Sequence, residues 1–328
     1  MQKKIFIVAL LFLSNIYILK AQPFPGKIGV GLDGIGGPAL EFPNVTYTAT
    51  DWQSVANVGN ATVDAAGWPT EDFRVVFFDH RPFNAWNNAP DDPLKYVVDQ
   101  SGTYTLSFKG QANLSSWSDA PIVFQNKQYD ANTNVTTVDI VFPPGGGIDS
   151  AIIGHYGFLM INFLQTNYGA GVNGVKDIRL MRPGYQHNSP QLFRTAYINA
   201  LSPFSTLRMM DFLHTNNSND AYPSVQSWNE RQQAVAPRYT KGAPWETIIA
   251  LANYTGRDLW INIPVDADSM YVVQLATLMQ NTLRPDVKIY IEYSNEVWNG
   301  SFSQYHYNYD AVLLSAEDAD IRASTPFD

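Results

Sequence analysis

The sequence predicts a chain of mixed class, in which a parallel α/β sheet is combined with an all-β domain. After Pro183, strand and helix patterns alternate at the spacing of βαβ units, which favours a parallel sheet. Residues 45–184 differ, because short strands there are separated by turns rich in glycine and proline. This block is predicted to form an antiparallel β-sandwich. Its clearest strands are 103–108, 134–142, 157–164 and 175–180.

The part after the sandwich is predicted to alternate strands with helices. Pro190 is typical of a first helical position, and Gly256 is typical of a helix end. Asp266 and Asp268 are expected to cap the helix that follows them, and Trp260, in mid-strand, is expected in the core. The predicted strands are 205–212, 258–263 and 288–293, and the predicted helices are 190–201, 244–253, 268–281 and 307–316.

The first 22 residues resemble a secretory signal peptide. A positively charged start precedes a mainly apolar run over residues 5–19, and Ala21 is a small residue at the expected cleavage site. A retained membrane anchor is the alternative, but the run is short for a spanning helix and Ser14 and Asn15 interrupt it. We therefore expect a secreted protein, extracellular or periplasmic, with no membrane contact after cleavage.

Composition excludes some classes of function. The net charge of −9 and the isoelectric point of about 5.0 argue against nucleic acid as a partner. The five histidines have no metal-site spacing and there is no glycine-rich phosphate loop, so neither a metal nor a cofactor is predicted. The chain has no cysteine, so an exported form must rely on a large core. Its 8 Trp, 18 Tyr and 18 Phe could build that core or line a carbohydrate groove.

The strongest chemical signal follows the predicted strand 288–293. The strand runs directly into Asn295 and Glu296, and Trp298 comes two residues later. In a parallel α/β barrel, this end of a strand is where catalytic groups are placed. A carboxyl near an aromatic wall can be held protonated, which suits it to donate a proton to a leaving oxygen. The tryptophan offers a flat surface on which a sugar ring can stack.

Tyr293-Ser294-Asn295-Glu296 resembles the Asn-Glu pair of the clan A glycoside hydrolases. The longer string over 292–299 is similar to a subgroup of secreted bacterial proteins that are often labelled cellulose-binding. In the clan, the pair closes the fourth strand of a (β/α)8 TIM barrel. The resemblance implies that Glu296 is the general acid/base of a retaining hydrolase. It also implies that Asn295 binds the hydroxyl on the carbon next to the anomeric centre.

Counting strands back from 288–293 as strand four makes 258–263 strand three and 206–212 strand two. The helix 190–201 then becomes the first crossover helix, so strand one must lie earlier, and 27–33 fits because it ends in an acid. The sandwich is therefore predicted to be inserted after barrel strand one, and a separate N-terminal domain is the alternative. The expected divisions are a signal peptide at 1–22, a strand-one segment at 23–44, the β-sandwich at 45–184 and a partial barrel at 185–328.

Four strands are about half of a (β/α)8 barrel, and the sequence looks truncated at its C-terminus. In clan A the nucleophile is a Glu on strand seven, for which this chain offers no position. We therefore expect the nucleophile to be missing from the chain, which puts its activity as given in doubt. Asp211 could approach Glu296 across the barrel mouth, but no motif supports it as the nucleophile.

Arg208 lies within an apolar strand, where a charged side chain must be paired or face a polar cavity. The resemblance implies that it helps to keep the nucleophile ionised, and a structural ion pair with Glu292 or Asp211 is the alternative. Other candidates follow strands one and two or lie in the long loop 213–243. The predicted substrate-binding residues are Asn295, Arg208, Trp298, His214, Trp228, Asp33 and Asp211.

The sequence thus predicts a secreted glycoside hydrolase that binds a polysaccharide or oligosaccharide and uses a retaining mechanism. The alternative is a non-catalytic carbohydrate-binding protein, in which exposed aromatics of the sandwich, such as Trp68, Trp86 or Trp117, hold the glycan. A surface adhesion module is a third possibility, and it predicts no affinity for soluble glycans.

Overall fold

The computed structural model describes residues 27–37, 40–80, 99–144, 157–167, 174–216 and 227–314. The predicted signal peptide and Trp86 lie outside these residues. The strands are β1 (Gly29–Gly31), β2 (Gln53–Ser54), β3 (Phe73–Asp79), β4 (Gly102–Lys109), β5 (Gln111–Ser118), β6 (Val123–Asp130), β7 (Val135–Phe142), β8 (Phe158–Asn167), β9 (Lys176–Met181), β10 (Thr206–Arg208), β11 (Asp258–Ile263) and β12 (Ile289–Tyr293). The helices are α1 (Thr195–Ala200), α2 (Trp245–Thr255), α3 (Ser269–Thr282) and α4 (Ser303–Leu314).

The described chain is a sheet-rich α+β protein with few helices. Two four-stranded antiparallel sheets have the orders β2-β3-β8-β5 and β6-β7-β4-β9. They share one core, in which Phe163 of the first sheet stacks on Phe73 at 4.6 Å between ring centroids and meets Phe108 of the second sheet edge-to-face at 5.4 Å. Along β7 every second residue is buried, which is the period expected of a strand with one face in a core.

A third sheet has the order β1-β10-β11-β12, and all three of its strand pairs are parallel. β1 precedes both antiparallel sheets in the chain, whereas its partner β10 follows them. The chain therefore leaves the parallel sheet after β1, forms the two antiparallel sheets, and returns at β10. This is the strand order that counting back from residues 288–293 predicts.

One face of the parallel sheet is covered and the other is open. Leu207 and Leu259 point to the covered face and are fully buried in a core that includes Ile248 of α2 and Leu275 of α3. Because side chains alternate along a strand, the neighbouring Arg208 and Trp260 lie on the opposite face. The open face is therefore where this sheet can present side chains to a ligand.

The predicted helix 190–201 and the predicted strand 205–212 are both shorter in the structure, and local hydrogen bonds account for both. The helix expected from residue 190 begins at Thr195, because the Gln191 side chain donates to the Phe193 carbonyl and the Arg194 amide donates to the Glu41 carbonyl. The strand expected to reach 212 ends at Arg208, because the Leu213 amide turns back to the Met209 carbonyl. Within the described residues, no helix combines the length and the apolar character needed to cross a membrane.

Candidate active site

Polar side chains collect at the carboxyl edge of the parallel sheet, where its four strands end together. Asp33 follows β1, Asp211 follows β10, Asp266 follows β11, and Asn295-Glu296 follows β12. Backbone hydrogen bonds continue past the strands themselves, since the Ser294 amide donates to the Ile263 carbonyl at 2.7 Å. Ligand sites of parallel α/β sheets lie at this edge, so the four strand ends define the candidate site.

Arg208 ties together the polar groups of β12. Its Nη2 donates to Glu292 Oε2 at 2.9 Å and to Glu292 Oε1 at 3.1 Å, and it also donates to Asn295 Oδ1 at 2.9 Å. The pairing with Glu292 confirms the structural alternative predicted for this arginine. A guanidinium that reaches both oxygens of a carboxylate holds it in a defined plane, so Arg208 fixes Asn295 and Glu292 at once.

Glu292 is held by β11 as well. Trp260 Nε1 and Asn262 Nδ2 each donate to Glu292 Oε2 at 2.8 Å. The guanidinium of Arg208 also lies 5.3 Å from the centroid of the Trp260 ring, within range of a cation–π contact. Trp260 was expected in the core, but that prediction is wrong, since the residue is 41% exposed on the open face. The alternation Asp258, Trp260, Asn262 along one strand was the signal for a polar face.

A pocket of about 450 Å³ opens on this face of the sheet, next to Arg208. Arg208, Trp260 and Tyr290 supply its large side chains. On β1 the pocket is bordered by Gly29 and Gly31, and a Cβ atom at Gly31 would meet nothing within 4 Å. The lack of side chains at these glycines leaves room for a ligand against the backbone of β1.

Glu296 lies on a strained turn. The backbone φ angles of Ser294 and Glu296 are 53° and 40°, in the left-handed region that costs non-glycine residues free energy. The carboxylate of Glu296 accepts a hydrogen bond from Asn299 Nδ2 at 2.9 Å and is partly exposed. Residues held in such conformations cluster at functional sites, so this turn is the strongest local sign of function at the end of β12.

The neighbours of Glu296 differ sharply in burial. Asn295 is only 3% exposed, and its carbonyl accepts from Nε2 of the buried Gln304 in α4 at 2.7 Å. Trp298, two residues beyond Glu296, is 70% exposed. Asn295, next to Glu296, is therefore held by Arg208 through its side chain and by Gln304 through its backbone carbonyl. The ring of Trp298 is open to a ligand. Gln304 was missed by the sequence analysis, since α4 contacts the site only through tertiary packing.

Asp33, Asp211 and His214 lie near one another after β1 and β10. Partial burial raises the pKa of Asp211, the negative charge of Asp33 raises it further, and Arg208 and His214 act against this rise. His214 has a φ angle of 56°, and its amide donates to the Asp211 carbonyl at 2.9 Å. Asp211 therefore lies within electrostatic range of Asp33, Arg208 and His214, at the ends of the neighbouring strands β1 and β10.

Trp228 belongs to a different cluster. The guanidinium of Arg231 lies 3.9 Å from its ring centroid, and the ring meets Tyr271 of α3 edge-to-face at 5.3 Å. Arg231 in turn pairs with Glu246 of α2 at 2.6 Å. Trp228 is thus packed between the long loop and the helices, and the contacts of its ring do not join it to Arg208 or Asn295.

Asp266 is a buried acid without a hydrogen-bond partner among the described residues. It is 7% exposed, and neither carboxyl oxygen has a donor. The expectation that it caps α3 is wrong, because Asp268 is the cap and accepts from the Tyr271 amide at 2.6 Å. Burial raises the pKa of Asp266 to about 6; the backbone amide of the same residue acts against this rise, and the charge of Glu230 adds to it. The carboxyl of Asp266 is therefore an acid that titrates near neutral pH beside the candidate site.

We expect Asp266→Asn to change how stability depends on pH. The raised pKa means that the native state binds this proton more tightly than the unfolded state, whose Asp titrates near ~3.9. The contribution of Asp266 is therefore fully present below about pH 4 and is lost as pH rises through about 6. Asn mimics the neutral form. The free energy of unfolding of the variant, relative to that of wild type, should therefore increase by about 1–3 kcal/mol between pH 4 and pH 7. Urea titrations of both proteins at pH 4 and pH 7 measure these free energies. If the variant and wild type differ by the same amount at both pH values, the prediction is wrong.

Comparisons of this chain with protein-family models, with curated proteins and with solved structures found no match.

Proposed function

We propose that this chain is part of a secreted glycoside hydrolase that acts on a polysaccharide by a retaining mechanism, with Glu296 as general acid/base. In this proposal β1, β10, β11 and β12 are the first four strands of a (β/α)8 barrel, and the antiparallel sheets form a sandwich inserted after strand one. The observation that carries the proposal is the fixed Asn295, which accepts from Arg208 at 2.9 Å beside the strained Glu296 at a parallel strand end.

Each group has a role in the proposed reaction. A carboxylate nucleophile attacks the anomeric carbon, and the glycosidic bond breaks as Glu296 gives its proton to the leaving oxygen. Glu296 then takes a proton from water, which displaces the carboxylate from the sugar. Asn295 is suited to bind the neighbouring hydroxyl of the sugar, and the exposed Trp298 is suited to stack on an adjacent ring. The nucleophile is not assigned to any described residue.

The test is sugar release from a panel of soluble polysaccharides by the full-length wild-type protein of which this chain is proposed to be part. Reducing ends measure the rate, and NMR of the first product measures its anomeric configuration. The proposal expects release from at least one polysaccharide, with the configuration of the substrate retained. Initial release of the opposite anomer would contradict the retaining mechanism.

A non-catalytic carbohydrate-binding protein is the second candidate. The observation that favours it is an exposed tryptophan outside the candidate site, Trp117 of β5, which is 68% exposed. This candidate expects the protein to bind polysaccharides and to release no sugar from them.

A further inference from the structure

We propose that the solvent-facing side of the sheet β2-β3-β8-β5 binds a linear, neutral polysaccharide, with Trp117 as the stacking residue. We call this surface the sandwich face and define it by Gln53, Arg74, Asn113, Ser115, Trp117 and Asn162. This surface is in a different sheet from β12, the strand that leads into Glu296. The inference rests on the proposed function only for the class of ligand.

Trp117 is held in place and yet open to solvent. Its ring meets Phe158 at 6.0 Å and an interplanar angle of 82°, an edge-to-face contact that fixes the orientation of the indole. Trp52 and Trp68 behave differently, because they stack on each other at 6.0 Å and pack against the core of the two sheets. Trp117 therefore offers the apolar surface that a sugar ring needs, and Trp68 does not.

A polar row crosses the sheet beside this ring. Gln53, Arg74, Asn162 and Ser115 are successive cross-strand partners on four neighbouring strands. Arg74 Nε donates to Gln53 Oε1 at 3.1 Å, and Asn162 Nδ2 donates to Ser115 Oγ at 3.0 Å. These bonds link the side chains of neighbouring strands in pairs across the sheet. Since neighbouring strands lie about 4.8 Å apart, the row spans about 14 Å.

Toward the other end of β5, Asn113 extends this polar surface, although its cross-strand partner on β8 is Leu164. Asn113 Nδ2 donates to Gln165 Oε1 at 2.6 Å, and both residues are exposed. Every second residue of β5 points to this face, which places Asn113, Ser115 and Trp117 on it. Their amide, hydroxyl and indole groups therefore follow one another at intervals of about 7 Å. The sandwich face is therefore a polar row with Asn113 on one side of it and, on the other side, Trp117 next to the apolar Met160 and Val76.

This chemistry matches a polysaccharide better than other partners. Sugar hydroxyls both donate and accept hydrogen bonds, as amides and hydroxyls do, and sugar rings carry apolar C–H faces that stack on indole. Protein interfaces have a more apolar centre than this row of polar side chains. The net charge of −9 disfavours nucleic acid. The observations thus favour a neutral glycan chain laid across the strands.

Native electrophoresis in gels that contain a soluble β-glucan, xylan or mannan tests the inference. We expect at least one polysaccharide to retard the wild-type protein. Trp117→Ala should weaken the apparent affinity about tenfold or more, as truncation of a central aromatic anchor does. Tyr254→Ala is the matched control, because Tyr254 is also an exposed aromatic, at 70%, but lies in α2. It should run as the wild type does.

Two results would overturn the inference: no retardation of the wild type by any of the polysaccharides, or equal retardation of Trp117→Ala and wild type. Circular dichroism of the variant checks that it is folded, and Asn113→Ala, a smaller change on the sandwich face, should also weaken retardation. Failure of the proposed function is a separate outcome. If the wild type releases no sugar but Trp117→Ala loses retardation, the hydrolase proposal fails and the sandwich face stands.

Discussion

Replacing Glu296 with glutamine is expected to slow polysaccharide hydrolysis by about 10²–10⁴-fold, the usual contribution of a general acid. Glutamine keeps the size of the side chain and can still contact Asn299, which bonds the wild-type carboxylate at 2.9 Å. It cannot give a proton to the leaving oxygen. Since the side chain is partly exposed and lies outside the core, thermal unfolding should change little. Initial rates of reducing-sugar release measure the effect.

The leaving group separates a lost acid from a damaged site. An aryl glycoside whose phenolate leaves without protonation does not need the acid for bond cleavage, so Glu296→Gln should slow that first step far less than it slows the polysaccharide. Glu71→Gln is the control, because the Glu71 side chain accepts from the Thr62 amide in the antiparallel part of the chain, away from Glu296. If the variant slows both substrates equally, Glu296 is not acting as the acid.

The order of the parallel strands could be predicted from the sequence because each strand carries its own local signal. The alternation of apolar residues around Leu259 and Ile261, followed by Pro264, marks β11 without knowledge of any other element. The three-residue β1 also has a local signal, a short apolar segment that ends in an acid, and strand counting then placed it before the antiparallel sheets as the partner of β10. An acidic partner for Arg208, either Glu292 or Asp211, was also predicted from the sequence, since a charge inside an apolar strand needs a partner, and in the structure that partner is Glu292.

Other features depend on packing that local patterns do not encode. Asp266 and Asp268 are equally good capping residues in sequence, and only the path of the chain after β11 decides that Asp268 caps α3 and Asp266 is buried. Trp228 contacts Arg231 and Tyr271 because the long loop folds back on α2 and α3. The alternation along β11 indicates that Trp260 shares a face with polar residues, but how far its ring is exposed depends on what covers that face.

The long loop returns to the parallel sheet at Gly242, where the chain passes very close to the end of β10. The Ala243 amide donates to the Phe212 carbonyl at 2.8 Å, which joins the end of the loop to the turn that carries Asp211 and His214. Gly242 is buried and has a φ angle of 79°. A Cβ atom there would lie 2.5 Å from the Leu213 carbonyl oxygen and 2.9 Å from the His214 nitrogen. The site therefore requires glycine twice, for its backbone conformation and for space.

Gly242→Ala is accordingly expected to destabilise the protein by about 2–5 kcal/mol, since the left-handed conformation costs about 1–2 kcal/mol and overlap with backbone costs about 1–3 more. Gly184→Ala measures the cost of the left-handed conformation alone, because Gly184 has a similar φ angle of 88° and a Cβ atom there would meet nothing within 4 Å. Urea unfolding of both variants measures the difference. Equal losses would mean that the backbone of Leu213 and His214 yields to the methyl group at little cost. A larger loss at Gly242 would show that the end of β10 and the return of the loop are rigidly packed, as a site that positions Asp211 and His214 requires.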